Sequence, residues 1–197
     1  LEPTTMKNMN ADYTPTLAAA MRRVSQHWPL AYGKLLALRW EATDATSYGA
    51  TDGRRLLLNL AGLAKLDRTS DPVGLTAFLL VHEALHALLN HSLRLRLLAD
   101  AKTANIAADY IINAMIAMRN KELGRAVFPL IEGVLIDEKI SGDKSVEQLY
   151  RELLKPQPQP PTPPKQDEDQ TDNDADEGDD ECSGDEGDSD SEDEGEE

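Results

Sequence analysis

Apolar positions recur at helical spacing over residues 14–27. Leu17, Met21 and Val24 share one face, Thr14 or Thr16 can cap the start, and Pro29 follows the end. Residues 35–42 are ambiguous: Leu36, Leu38 and Trp40 alternate as in a strand, while Leu35 and Ala37 weaken the alternation. Asp52-Gly53 predicts a two-residue hairpin turn with positive φ at both positions, flanked by strands within 47–59. A short helix over about 60–67 follows. Residues 73–90 are apolar nearly all round, the pattern of a helix sunk in a core. A second long helix spans 103–119, where Ile106, Tyr110 and Asn113 fall at helical steps. Ser145 and Gln148 have capping-box spacing and open a last helix, which Pro156 closes. There is no internal repeat. Together these elements predict an α+β fold, a small antiparallel sheet packed on the buried 73–90 helix, with a second helix alongside.

From Pro156 the pattern stops. A Pro-Gln-Pro-Gln-Pro-Pro-Thr-Pro-Pro run reads as a stiff extended spacer, and the segment after it is almost devoid of apolar residues. The expected organisation is an N-terminal extension over 1–12, a domain over 13–155, and a Pro-rich then acidic disordered tail over 156–197.

Charge sharpens this division. The net charge is −16, yet no Lys or Arg follows Lys165, and 19 of the 36 acids lie at or after Asp167. That leaves 17 acids against 20 bases in the rest, so the acidity belongs to the tail. A solvated linker is the expected role of such a run; recruiting a basic partner is the alternative. The tail would repel phosphate backbones, which disfavours nucleic acid as a ligand. Cys182, the single cysteine, also lies in the tail, so neither an intramolecular disulfide nor a core thiolate ligand is expected. No apolar run is long enough to span a membrane, and the start has no signal-peptide pattern. The expectation is a cytoplasmic protein without membrane contact.

The chemistry sits in the most apolar helix, which reads His82-Glu83-Ala84-Leu85-His86. Residues four apart on a helix lie on nearly one face, so both imidazoles can converge on one ion. Glu83, about 100° round, stands beside that ion and can serve as general base towards an activated water. Burying two His and a Glu among apolar residues costs free energy unless something satisfies them, and a metal does so directly. Structural hydrogen bonding is the bland alternative.

Zinc needs a third protein ligand. Asp109, on the following helix, is the first candidate, and its neighbours Ala107, Ala108, Tyr110, Ile111 and Ile112 speak against a plain surface carboxylate. His91 is the alternative: on an unbroken helix it points about 140° away from His86, so it can bind only if the helix ends between Ala87 and Asn90, where no glycine is present to turn the chain. Glu122 looks like part of a solvated turn. Asn113, four residues past Asp109, can accept a hydrogen bond from a ligating imidazole. Arg94 and Arg96 can hold a substrate carboxylate or neutralise the helix C-terminus. Tyr110 is an unassigned candidate for an oxyanion donor, and His27 has no evident chemical role. The hairpin can offer an edge strand to an extended peptide, although plain core structure explains it equally well.

Four segments carry a family resemblance: Ala-Thr-Asp-Gly-Arg (50–54), Val-His-Glu-Ala-Leu-His-Ala-Leu-Leu-Asn-His (81–91), Asn-Ile-Ala-Ala-Asp-Tyr-Ile-Ile-Asn (105–113) and Ser-Val-Glu-Gln-Leu-Tyr (145–150). Over residues 13–155 the chain resembles the predicted metal-dependent peptidases of bacteria and phages. The His-Glu helix is common to many zinc peptidases, whereas the Ala-Asp-Tyr-Ile-Ile-Asn segment is more specific. The resemblance implies a zincin-like domain that hydrolyses a protein or peptide substrate with Zn2+. It also implies metal ligands at His82, His86 and Asp109 and a base at Glu83. Such proteins often carry a von Willebrand factor A-like domain after a Pro-rich acidic linker. This chain stops in the linker and reads as an N-terminal piece or a short member. The competing reading is a non-catalytic module, metal-stabilised or metal-free, whose tail recruits a partner.

Overall fold

The computed structural model describes residues 14–137, 140 and 144–155. The expected terminal segments, 1–12 and 156–197, lie outside the described residues.

Helix α1 (Thr14–His27) has the bounds its periodicity predicts. Pro29, read from sequence as a terminator, also opens a second helix, α2 (Pro29–Ala37). Proline suits that first-turn position because the N–H it lacks has no partner there and its φ is already helical. The ambiguous 35–42 segment thus divides: Leu35 and Leu36 end α2, and strand β1 covers Arg39–Ala42. The buried indole of Trp40 donates to the Leu35 carbonyl at 2.9 Å, tying the strand to the helix end.

Strands β2 (Gly49–Thr51) and β3 (Arg55–Leu58) form the expected hairpin. The turn itself differs from expectation. Gly53 alone has positive φ, at 86°, and Asp52 does not. Asp52 instead caps the turn with its side chain: Oδ1 accepts from the Arg54 and Arg55 backbone N–H groups at 2.9 and 2.7 Å. Such an Asx arrangement replaces the second positive φ and lengthens the loop to residues 52–54. The sheet also departs from the all-antiparallel expectation. Its order is β1-β3-β2, with β1 parallel to β3 and β2 antiparallel to it. Only the hairpin pairing is local in sequence; the β1 pairing is set by α2 and the 43–48 connection.

Helix α3 (Leu60–Leu66) follows, capped by Asn59, whose side chain accepts from Gly62 N–H. Helix α4 (Pro72–Leu88) is the centre of the fold. Asp71 caps it, Pro72 fills its first turn, and it touches α1, α2, α3, β2, the short helix α5 (His91–Arg94) and the long helix α6 (Ala101–Glu122). Its residues Phe78, Leu80, Val81 and Ala84 are buried with Val24, Leu35, Leu56, Leu58 and Phe128. This explains the missing polar face: every side of α4 has a neighbour.

After a single 3-10 turn (Leu95–Leu97), Asp100 caps α6 (Ala101–Glu122). One face of α6 joins the main core through Ile112 and Ile116. The other carries Ala104, Ala107, Ala108 and Ile111 against Val146, Leu149 and Tyr150 of α7 (Val146–Leu153). The alanines let the two backbones approach closely. Both hydrogen bonds of the expected Ser145–Gln148 capping box are present. The described residues form an α+β fold, mostly helical. No single helix among them is long and apolar enough to cross a membrane.

Candidate metal centre

Three side-chain atoms from two helices converge beside β2. His86 Nε2 lies 3.1 Å from His82 Nε2 and 3.0 Å from Asp109 Oδ1, and His82 Nε2 lies 3.5 Å from Asp109 Oδ1. His82 and His86 are one turn apart on α4; Asp109 arrives from the middle of α6, which packs against α4.

The outward faces of both rings are engaged. His82 Nδ1 is 3.1 Å from Asn113 Oδ1, and Asn113 Nδ2 donates to the Leu135 carbonyl at 2.8 Å. That second bond fixes the amide, so its oxygen faces His82 and the Nδ1 of His82 carries the proton. In the neutral ring, Nε2 is then a bare lone pair directed at Asp109 and His86. Asn105, one turn before Asp109, donates to its other carboxylate oxygen at 3.1 Å. His82 is further held by the Phe78 ring, 5.8 Å away centre to centre.

Three lone-pair atoms in such proximity repel one another unless a cation, proton or metal, lies between them. An ion held tetrahedrally at about 2.0–2.1 Å would separate its ligands by about 3.3 Å, close to the distances here. Two imidazoles and a carboxylate are also a donor set that zinc accepts. Among the described residues, His82, His86 and Asp109 form a group able to hold a metal ion.

The surroundings shift the charges accordingly. Burial disfavours ionised Asp109, but the two imidazoles outweigh it and hold the carboxyl down at about 2. Burial likewise disfavours protonated His82, yet Asp109 and Glu83 outweigh it and raise the imidazole. Glu83 is buried, and burial raises its carboxyl above the ordinary range against the pull of the two His. No hydrogen bond holds the Glu83 carboxylate among the described residues. It lines a cleft of about 420 Å3 together with His82, Asp109 and Asn113. The cleft has two walls, residues 46–49 leading into β2 and residues 131–135 opposite.

His91 does not join the three convergent atoms. Helix α4 ends at Leu88, and Asn90 adopts the left-handed conformation with φ 54°. Asparagine can do here what glycine does elsewhere, because its short polar side chain tolerates that region. The chain bends there, by 52° between α4 and the 91–97 segment, and His91 Nδ1 comes to 3.2 Å from His86 Nδ1, on the ring nitrogen away from Asp109. His91 is 1% exposed, and its Nε2 has no hydrogen-bond partner among the described residues. Burial, then His86 and Arg94, lower its imidazole to about 4. Arg94 donates to the Leu89 carbonyl at 3.2 Å, neutralising the end of α4, and pairs with Glu147 of α7 through two hydrogen bonds. Tyr110 packs against the α6–α7 cluster, not in the cleft. Glu122 is exposed at the end of α6, paired with Arg119. Arg119 also donates twice to the carbonyl of His27.

Sequence reasoning missed Asn105 and the 131–135 wall. Asn105 could have been found, since it is four residues before Asp109 on one face. Nothing in the sequence signals that Leu135 lends a carbonyl to Asn113.

No curated protein and no solved structure matches the chain. A family model does, over residues 12–197, and its description is "putative metallopeptidase domain". With two His and an Asp gathered within the matched span, the chain belongs to the putative metallopeptidase domain family.

Proposed function

We propose that the chain is a zinc metallopeptidase whose metal is held by His82, His86 and Asp109, with Glu83 as general base and acid. The convergence of His82 Nε2, His86 Nε2 and Asp109 Oδ1 at 3.0–3.5 Å carries this reading. Three protein donors leave a fourth position for water or substrate, the pattern of a catalytic rather than a structural zinc site. When bound, zinc supplies Lewis acidity, making a water acidic enough to ionise near neutral pH and polarising the scissile carbonyl.

The protein's own groups supply the remainder. Glu83, buried and without a hydrogen bond among the described residues, takes the proton of the attacking water as its oxygen bonds to the peptide carbonyl carbon. It then delivers that proton to the leaving amine nitrogen as the C–N bond breaks. A carboxyl raised by burial suits both halves, because it holds a proton more readily than an ordinary carboxylate. Asn113 sets the tautomer and orientation of His82, the role such outer partners commonly play.

The open edge of β2 supports a peptide as substrate. Asn59 N–H donates to Tyr48 O, and Ala50 pairs opposite Leu57, so the backbone groups of Gly49 and Thr51 point away from β3. Thr51 thus offers both N–H and C=O to an added strand next to the cleft.

Glu83→Gln tests the reading, measured by zinc content and by cleavage of a mixed peptide library followed by mass spectrometry. The expected result is one zinc per chain in parent and variant, with cleavage falling by about 10²–10⁴-fold in the variant. Zinc binding with no cleavage in the parent, or unchanged cleavage in Glu83→Gln, would refute the assignment.

A further inference from the structure

A second cleft, about 480 Å3, opens at the other end of β2, between the 52–54 turn and residues 90–96. Strand β2 packs against helix α4, and the turn after β2 reaches α5. A Cβ on Gly49 would meet Leu79 Cδ1 at 3.3 Å, and one on Gly53 would meet Ser92 Oγ at 2.9 Å. In sequence His82 and His86 lie between Leu79 of α4 and Ser92 of α5. An extended peptide laid on the open edge of β2 across the metal centre therefore reaches this cleft at one end. Gly49 and Gly53 are four residues apart, so along an extended chain the cleft lies within about four residues of the centre.

The charged residues lining the cleft are Asp52, Arg54 and Arg96. Asp52 is already satisfied: Oδ1 accepts from two backbone N–H groups, and Oδ2 from Arg55 Nε at 2.7 Å. Arg54 and Arg96 pair with no carboxylate among the described residues, whereas the adjacent Arg55 and Arg94 each do. Asn90 and Ser92 add neutral polar groups to the lining. The cleft thus presents two uncompensated guanidinium groups, whose planar fork matches a carboxylate.

We propose that this cleft is a substrate subsite in which Arg54 and Arg96 bind a peptide carboxylate, within about four residues of the scissile bond. The inference rests on the peptidase reading for its place in the channel. The carboxylate comes either from an Asp or Glu side chain or from the peptide's own C-terminus.

Fluorescein-labelled, alanine-based decapeptides test it, each with a single Glu or a single Gln walked along the chain, as free acids and as C-terminal amides. Binding to the full chain is read by anisotropy, and cleavage separately by mass spectrometry. Peptides with a carboxylate at the favoured position are expected to bind about tenfold tighter than their Gln or amide partners. This advantage is lost in Arg54→Ala and Arg96→Ala, largely kept in Arg54→Lys, and unchanged in Arg68→Ala. A preference for Glu over Gln assigns a side chain; a preference for free acid over amide assigns the chain terminus. Equal binding of all four peptide types, or a preference that survives in both alanine variants, would overturn the subsite. A carboxylate preference without any cleavage would support the subsite and sink the peptidase reading. Cleavage without charge preference would do the reverse.

Discussion

His91 shows how much one buried side chain can contribute without joining the metal ligands. Its Nδ1 meets the outer nitrogen of His86, and its Nε2 is enclosed without a partner among the described residues. Burial, His86 and Arg94 keep it neutral, with the imidazole near 4, against the smaller opposing pull of Asp109 and Glu147. Because its folded pKa lies below the unfolded value of about 6.5, acid favours the unfolded chain, which binds a proton the folded one refuses. Stability should therefore fall from about pH 6.5 to about pH 4, by up to about 3 kcal/mol from this residue. Asp109 has its own window: its depressed carboxyl contributes stability that is lost only as pH falls from about 4 to about 2. His82, raised, contributes in the opposite sense, and its share is lost as pH rises above about 6.5. Denaturant titrations of chelated His91→Asn and parent from pH 4 to 7 separate these effects. The variant is expected to lose less stability across that range, and parallel curves would contradict the assignment. The Oδ1 of asparagine can still accept from His86, so the comparison isolates the titration. On the inner side, Asn113→Ala should weaken zinc binding by about 10–100-fold, measured by competition with a chelating dye.

At the scale of elements, the break after α4 decides where His91 goes. Asn90 is exposed, makes no side-chain cap, and is the only non-glycine with positive φ among the described residues. Glycine there should be close to neutral, whereas Asn90→Val should cost about 1–2 kcal/mol in urea unfolding, through the clash of a β-branched side chain in that region. Equal stabilities would mean that α4 can end another way. The same position marks a limit of sequence reading. Spacing alone put His82 and His86 on one face and Asp109 on a returning helix, since a long regular helix repeats its pattern many times. A helix stop written as one asparagine does not repeat, and so His91 read as pointing away. Pro29 is a similar case, because it both excludes the continuation of α1 and favours the first turn of α2. The parallel partnership of β1 with β3 was also illegible, for strands of four residues carry too little pattern to choose a neighbour. By contrast Ser145 and Gln148 were readable, since a capping box is closed within four residues.

At the scale of the molecule, the candidate centre joins parts that otherwise pack separately. Helix α4 belongs wholly to the main core, while α6 also builds the smaller cluster with α7. A metal held by His82 and His86 on one side and Asp109 on the other would cross-link the two helices at the depth of Phe78 and Ile112. It would bind the folded chain and not the unfolded one, whose three ligands lie up to 27 residues apart in sequence. The stabilisation then follows mass action: free zinc at about a hundred times its Kd adds about 2.7 kcal/mol. For a domain of this size that is a rise in Tm of about 5–10 °C. Differential scanning fluorimetry against buffered zinc should show this rise in the parent and in Glu83→Gln, which retains all three ligands. Asp109→Ala should lose it at the same free zinc, because the link to α6 is gone and two ligands on α4 alone join nothing. A variant that still gained the full shift would place the third ligand elsewhere and remove α6 from the centre. A parent that gained none would leave the three converging atoms to share a proton, and the cleft beside Glu83 without its Lewis acid.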